Sequence, residues 1–142
     1  MKNVIAIGAG MVDGLRLGDN AKAALMTRGL AEITRLGVVA GADPLTFAGL
    51  AGMGDLIATC SSTLSRNHYV GVQLASGKTV EDIRLSMNHV AEGIDTTAAA
   101  VNLAEKLEVE MPIAQATYEV LFNDVALEQA ISSLLGRAPR PE

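Results

Sequence analysis

A few polar and charged side chains stand out in a sequence that is otherwise weakly polar and helix-like. They are Lys2 with Asn3, Asp55, the triplet Ser65-Arg66-Asn67, and Glu92. An ammonium, a carboxylate and a guanidinium are the groups that bind a small anionic substrate and move a proton on it. Nothing in the sequence is suited to holding a whole nucleotide. These residues therefore indicate part of an active site.

Lys2 and Asp55 each have an ordinary structural explanation as well. A lysine next to a chain terminus is usually disordered, and an aspartate that follows a glycine, here Gly54, is usually a helix N-cap. The alternative is that Lys2, beside a carboxylate, acts as a general acid and base on a hydroxyl. Thr59 would share a helix face with Asp55 and add a hydroxyl. These residues alone leave both explanations open.

The Ser65-Arg66-Asn67 triplet also has two interpretations. A serine at the start of a helix is ordinarily a cap, and the residues after it then lie in solvent. A hydroxyl, a forked guanidinium and an amide at a helix start are also what a phosphate group requires, because free backbone amides and the helix dipole add to the side chains there. The triplet is therefore a candidate phosphate site and a candidate cap.

The segment from Ile5 to Gly14 resembles the strand and glycine loop of a dinucleotide-binding fold. That fingerprint needs a glycine or alanine three residues after the second glycine, Gly10, and Asp13 stands there instead. An aspartate facing a pyrophosphate would be repulsive, and no alternation of helices and strands follows. We therefore interpret Gly8, Gly10 and Gly14 as positions where another backbone packs closely against a helix.

Composition excludes several classes of protein. The 142 residues carry a net charge of −5 without a basic run, so a nucleic acid is not an expected partner. Cys60 is the only cysteine, which excludes an internal disulfide, and we expect it to be a small buried hydrophobe. His68 and His89 are too far apart in the sequence to suggest a zinc site.

The apolar segments are too short for membrane insertion. None approaches the roughly 20 residues that a membrane-spanning helix needs. Asp13 and Arg16 follow the first apolar run too soon for an export signal. Together with the single cysteine, this favours a cytoplasmic protein without a membrane span.

Helix signals follow one another along the chain. One amphipathic helix is predicted where apolar residues are interleaved with Lys22, Arg28, Glu32 and Arg35. Expected N-caps are Asp19, Asp43 before Pro44, and Thr79 in a capping box. No two-residue alternation supports a strand. The predicted fold is one all-helical domain over residues 1–142, with helices over about 3–17, 20–40, 43–50, 64–75, 79–86, 94–107, 112–122 and 126–135.

Several motifs, taken together and in order, resemble one known family. They are Lys2-Asn3-Val4-Ile5-Ala6-Ile7, Gly18-Asp19-Asn20-Ala21-Lys22-Ala23-Ala24, Gly52-Met53-Gly54-Asp55-Leu56, Ser65-Arg66-Asn67 and Val90-Ala91-Glu92-Gly93. The whole chain is similar to the C-terminal half of bacterial NAD(P)-dependent glycerol-3-phosphate dehydrogenase. The resemblance implies an all-α, multi-helix domain of the 6-phosphogluconate-dehydrogenase C-terminal-like type, without the Rossmann half.

The resemblance also implies a role for each candidate residue. Lys2 matches the catalytic lysine, which exchanges a proton with the oxygen on C2 of the substrate. Asp55 matches a carboxylate that contacts the substrate and orients that lysine. The triplet Ser65-Arg66-Asn67 matches residues around glycerol 3-phosphate, and its arginine also reaches the dinucleotide. Val90 and Glu92 match positions that touch the cofactor.

The function implied is that of an oxidoreductase in glycerol-3-phosphate, lipid and carbohydrate metabolism. It would interconvert glycerol 3-phosphate and dihydroxyacetone phosphate with NAD or NADP, bound mostly by a dinucleotide-binding domain that is supplied in trans or has been lost. Without that domain we expect the chain to be inactive. The alternatives are a non-catalytic helical module that forms oligomers such as a homodimer, or a helical domain from another hydroxyacid or sugar-acid dehydrogenase.

Overall fold

The computed structural model describes residues 1–43, 45, 50–62, 65–89 and 91–135. The described residues form eight α-helices and no strand, which confirms the predicted all-helical class. The helices are α1 Lys2–Gly14, α2 Asp19–Val39, α3 Leu50–Ser61, α4 Arg66–Ala75, α5 Val80–Ser86, α6 Glu92–Leu107, α7 Pro112–Phe122 and α8 Leu127–Leu135.

Helix α1 is the centre of the fold. Every residue from Val4 to Val12 is buried, so this helix is apolar on all sides. Such a helix must be surrounded by protein, and α1 packs against α2, α3, α4, α6 and α7. Its first residue, Lys2, emerges from this packing at the surface.

Glycines allow α1 and α4 to pack with their backbones in contact. A Cβ atom added at Gly10 would collide with the carbonyl oxygen of His68, and one added at Gly71 would collide with that of Ile7. Only a residue without a Cβ fits at either position. The glycines of α1 therefore serve close helix packing, as the sequence indicated, and α4 is held against the middle of α1.

A buried carboxylate joins α2 to the start of α7. Glu32 on α2 is 3% exposed, and its Oε1 and Oε2 accept hydrogen bonds from the backbone amides of Ile113 at 2.6 Å and Ala114 at 3.4 Å. The N-cap residue Met111 forms no side-chain cap bond, so Glu32 caps this helix from another element. Of the charged residues interleaved along the predicted helix, Glu32 is buried because the start of α7 packs over it.

The predicted caps are partly confirmed. Ser65 Oγ accepts from the His68 amide at 3.2 Å, and Thr79 Oγ1 accepts from the Asp82 amide at 3.1 Å. Asp19 is not a cap: Gly18, with φ of +93°, takes the N-cap position, and Asp19 lies in the first helical turn. Its charge there still favours the helix dipole.

Other predicted boundaries shift or lie outside the described residues. Asp43 Oδ1 accepts from the Leu45 amide at 2.9 Å, as a capping aspartate would, whereas Pro44 and residues 46–49 are outside the described ranges. Asp55 is not an N-cap, because it lies well inside α3. Helix α6 begins at Glu92, two residues before the predicted start at Ile94.

Neither a membrane span nor a metal site is found in the part of the chain that the structure describes. None of its helices is both long and apolar enough to cross a bilayer. No group of three or more His, Cys, Asp or Glu side chains there is arranged to hold a metal ion. Cys60 is fully buried, as predicted, and burial raises the pKa of its thiol to about 11.

Candidate functional site

An ion pair joins Lys2 to Asp55, which are 53 residues apart in the sequence. Lys2 Nζ lies 2.8 Å from Asp55 Oδ2, and the two side chains are 47% and 56% exposed. A pair this open to water contributes little to folding stability. It does present an oriented ammonium to solvent, which is what a proton donor to a bound substrate requires.

The packing of α3 against α1 places Asp55 beside Lys2. Leu56 and Cys60 are buried in the core that contains α1, which fixes the face that α3 turns inward. Thr59 follows Asp55 by one helical turn, and its hydroxyl donates to the Asp55 carbonyl oxygen at 2.7 Å. Thr59 therefore shares the helix as expected, but its proton is bonded to the backbone.

The ion pair borders a cavity of about 420 Å³, a volume in the range of small-molecule sites. The rest of the described lining is apolar or glycine and comes from the chain terminus, α2, α3 and α6: Met1, Leu30, Ile33, Leu36, Gly37, Ala40, Gly52, Leu56 and Leu103. The charged groups of this lining are the Lys2 and Asp55 side chains and the N-terminal amine of Met1. A molecule that fills the cavity would displace water from the ion pair and so strengthen its electrostatic effect.

The first turn of α4 carries the triplet, and its side chains point in different directions. Ser65 caps the helix, and the Arg66 side chain is exposed. Asn67 is 8% exposed, and its Oδ1 accepts a hydrogen bond from the backbone amide of Gly93 at 2.8 Å. Gly93 follows Glu92, whose side chain is exposed at the start of α6. The triplet is thus joined to the segment that carries Glu92.

The N-terminal ends of α1, α4 and α6 converge at one place. A Cβ atom added at Gly93 would lie 2.5 Å from Asn67 Oδ1 and 2.9 Å from the Asn3 carbonyl oxygen. The first turns of helices carry free backbone amides and the positive end of the helix dipole. The amides of Gly93 and His68 are already bonded to Asn67 Oδ1 and Ser65 Oγ. Attraction for an anion here comes from the helix dipoles and from Lys2 and Arg66, which lie in two of these turns.

The structure does not bring every candidate residue into contact. Within the described ranges, the Arg66 guanidinium has neither a hydrogen-bond nor an ionic partner, and no contact links it to Lys2 or Asp55. Val90 lies outside the described residues. Two local pairs are therefore defined, Lys2 with Asp55 and Asn67 with Gly93.

A second polar cluster escaped the sequence analysis. Asp13 Oδ2 lies 2.8 Å from Lys22 Nζ and 2.7 Å from His68 Nε2. Partial burial raises the pKa of Asp13, but the hydrogen bonds from His68 and Lys22 outweigh it, so the pKa is lower than usual. The available signal was a lone aspartate on an otherwise apolar helix. In the sequence, Asp13 was considered as a departure from a glycine loop and as a charge too early for an export signal.

The described residues form an all-helical domain that presents polar residues at several helix starts. Residues 1–132 match the family described as NAD-dependent glycerol-3-phosphate dehydrogenase C-terminus. The chain therefore belongs to this family, which confirms the resemblance seen in its motifs.

Relatives extend the similarity over nearly the whole chain. The chain is 58% identical over 142 residues to a protein of Bacillus cytotoxicus named glycerol-3-phosphate dehydrogenase (NAD(P)+). This match covers 100% of this chain and 42% of that protein. A protein of the same name from Dehalococcoides mccartyi is 56% identical over 135 residues, which are 95% of this chain and 38% of that one. The chain thus spans about two fifths of the length of these relatives.

Solved structures show the same fold. Glycerol-3-phosphate dehydrogenase from Coxiella burnetii superimposes with a TM-score of 0.92 at 41% identity, over 96% of this chain and 42% of that one. The enzyme of that name from Saccharomyces cerevisiae gives a TM-score of 0.84 at 30% identity, over 96% and 40% of the two chains. These likenesses confirm the predicted fold class.

Proposed function

We propose that this chain is the substrate domain of an oxidoreductase that interconverts sn-glycerol 3-phosphate and dihydroxyacetone phosphate. The observation that carries the proposal is the Lys2–Asp55 ion pair at 2.8 Å on the rim of an apolar cavity, in a member of this family. A second domain, in the same polypeptide or in trans, binds most of the NAD or NADP. Without it, the chain does not turn over substrate.

The residues of this chain are suited to bind only a small part of the cofactor. Arg66 offers an exposed guanidinium, and Glu92 an exposed carboxylate at the start of α6. Gly8 and Gly10, which resemble a phosphate-binding loop, lie inside α1 and cannot cradle a pyrophosphate. When bound, the nicotinamide supplies or accepts the hydride. This chain therefore contributes contacts at the edge of the dinucleotide.

Lys2 is the proton donor and acceptor of the reaction. During reduction, negative charge develops on the C2 oxygen, and the ammonium stabilises that charge and delivers its proton there. In the reverse direction, the neutral amine accepts the hydroxyl proton. Asp55 holds the amine toward the cavity through the 2.8 Å contact.

The first turn of α4 holds the phosphate end of the substrate. Arg66 supplies a bidentate cation, and Ser65 and the start of the helix supply further donors. Because Asn67 Oδ1 is occupied by Gly93, its amide nitrogen is the group left for the substrate. Binding energy from the phosphate then orients the reacting carbon against Lys2.

Complementation tests this proposal. The chain is mixed with the dinucleotide-binding half of a relative, NADH and dihydroxyacetone phosphate, and NADH oxidation is followed. We expect turnover in the mixture and none from either part alone. A well-folded mixture without turnover contradicts the proposal.

A non-catalytic helical module that forms oligomers is the second candidate. It is favoured by exposed apolar side chains near the cavity, with Met53 38%, Ile57 45% and Leu103 42% exposed. A Lys2→Ala variant separates the candidates when light scattering and complemented turnover are both measured. If Lys2→Ala assembles like the unaltered chain but loses its complemented turnover, the enzyme is supported. If the unaltered chain assembles but gives no complemented turnover, the module is supported.

A further inference from the structure

The Asp13 cluster lies directly behind the turn that carries Arg66 and Asn67. One oxygen, Asp13 Oδ2, receives hydrogen bonds from Lys22 at 2.8 Å and His68 at 2.7 Å. The three residues come from the end of α1, the first turn of α2 and the first turn of α4. We infer that Asp13 and His68 are positioning residues that set the orientation of the phosphate-binding turn. This inference rests on the proposed function.

Burial makes this cluster a stronger constraint than the Lys2–Asp55 pair. The side chains of His68, Lys22 and Asp13 are 11%, 17% and 34% exposed. Hydrogen bonds that involve a charged, largely desolvated group are stronger than those at an open surface. Removing the carboxylate would leave the Lys22 ammonium and the imidazole without their shared acceptor, which is costly in a buried setting.

The geometry connects this constraint to Arg66. His68 Nε2 is bonded to α1, and the backbone carbonyl of His68 rests on Gly10 of the same helix. Two separate contacts therefore fix the rotation of the first turn of α4. Arg66 is exposed and has no partner of its own within the described residues, so that rotation sets the position from which its side chain extends.

Asp13 is too far away to act on the substrate itself. It follows Lys2 by eleven residues in α1, which at 1.5 Å per residue places it about 16 Å along the axis. A three-carbon phosphoester held at Lys2 does not span that distance. Any effect of Asp13 on catalysis must therefore pass through the residues that it contacts, His68 on α4 and Lys22 on α2.

Loss of this positioning should lower kcat/KM, because the phosphate group both binds the substrate and orients its reacting carbon. For His68→Ala and Asp13→Asn in the complemented enzyme, we expect kcat/KM for dihydroxyacetone phosphate to fall about tenfold, through a higher KM and a lower kcat. His68→Gln retains an N–H that can reach Asp13, so it should recover most of the loss.

The experiment combines these kinetics with NMR of the 142-residue chain. The reporters are the amides of Arg66, Asn67 and Gly93, because the Gly93 amide is bonded to Asn67 Oδ1. In His68→Ala and Asp13→Asn these amides should shift and Gly93 should exchange faster, while amides of α3 around Asp55 stay unchanged. The matched control is Asp124→Asn, an exposed aspartate after α7.

The outcomes separate this inference from the proposed function. If the unaltered chain gives no complemented turnover, the proposed function fails, but the amide shifts still decide whether Asp13 and His68 set this turn. Unchanged reporters in both variants overturn the inference, as does a shift spread evenly over all helices. A loss that His68→Gln does not recover also counts against it. If Asp13→Asn does not fold, the His68→Ala and His68→Gln pair decides.

Discussion

Asn67 on α4 accepts a hydrogen bond from the backbone amide of Gly93 at the start of α6, at 2.8 Å and in a buried setting. The bond joins the triplet to Glu92, which precedes Gly93 in the chain. A Cβ at Gly93 would collide with Asn67 Oδ1, so this arrangement requires glycine at position 93. The side chain that was expected to bind substrate thus also holds two helix starts together.

Asn67→Ala removes this connection. The Gly93 amide would be left buried without its acceptor, which costs about 1–3 kcal/mol in the free energy of unfolding. Urea denaturation measures the loss. Asn102→Ala, at an exposed position of α6, is the control and should change stability by less than about 0.5 kcal/mol. Equal stability of the two variants would show that the Asn67 bond contributes nothing.

Glu32→Ala uncaps α7 from within the core. The amides of Ile113 and Ala114 lose their buried acceptor, and we expect the free energy of unfolding to fall by about 1–3 kcal/mol or more. Thermal unfolding of this variant is compared with that of Glu128→Ala, an exposed glutamate in the first turn of α8. A loss no larger than that of the Glu128 variant would contradict the capping role.

Asp13 makes stability depend on pH in the acid range. Because its pKa is lowered in the folded chain, its contribution to stability is present above the ordinary value of 3.8 and is lost as the pH falls through the folded-state pKa. Below pH 4, the free energy of unfolding should therefore decline more steeply for the unaltered chain than for Asp13→Asn. Parallel curves for the two proteins would exclude this role for Asp13.

Gly10→Ala and Gly54→Ala should change stability in opposite directions. At Gly10, a Cβ would collide with the His68 carbonyl oxygen, and backbone cannot move aside cheaply, so we expect a loss above about 2 kcal/mol. At Gly54, inside α3, an added Cβ would meet no atom from elsewhere in the described residues within 4 Å, so alanine should gain up to about 1 kcal/mol in helix propensity. Denaturation midpoints of both variants test this; a harmless Gly10→Ala would refute the close packing of α1 and α4.

Local signals in the sequence were enough to predict most of the helices. Ser65 and Thr79 cap their helices as expected, and Pro112 starts α7, because a cap or a proline acts on the turn beside it. Asp19 was misplaced by one residue because Gly18 competes for the N-cap. Asp55 could be interpreted as an N-cap because Gly52 and Gly54 suggested that a helix starts there. Both glycines lie inside α3.

Contacts between distant helices could not be predicted from local patterns. Glu32 has the spacing of an exposed residue, and only the arrival of α7, some 80 residues later, buries it. The same holds for Asp13 and His68, which are 55 residues apart. Lys2 and Asp55 were paired through the family resemblance of their motifs, since no periodicity connects them. Polar residues that serve tertiary contacts carry no local signature.

The most direct test of the central claim is a double-mutant cycle on Lys2 and Asp55, read out as complemented NADH oxidation. If the pair is the proton-transfer unit, Lys2→Ala lowers turnover by about 10²–10⁴-fold, and adding Asp55→Ala lowers it little further, because Asp55 acts through Lys2. Lys78→Ala, an exposed lysine after α4, should leave turnover unchanged. Turnover by Lys2→Ala equal to that of Lys78→Ala, or losses from the two mutations that simply multiply, would contradict the account.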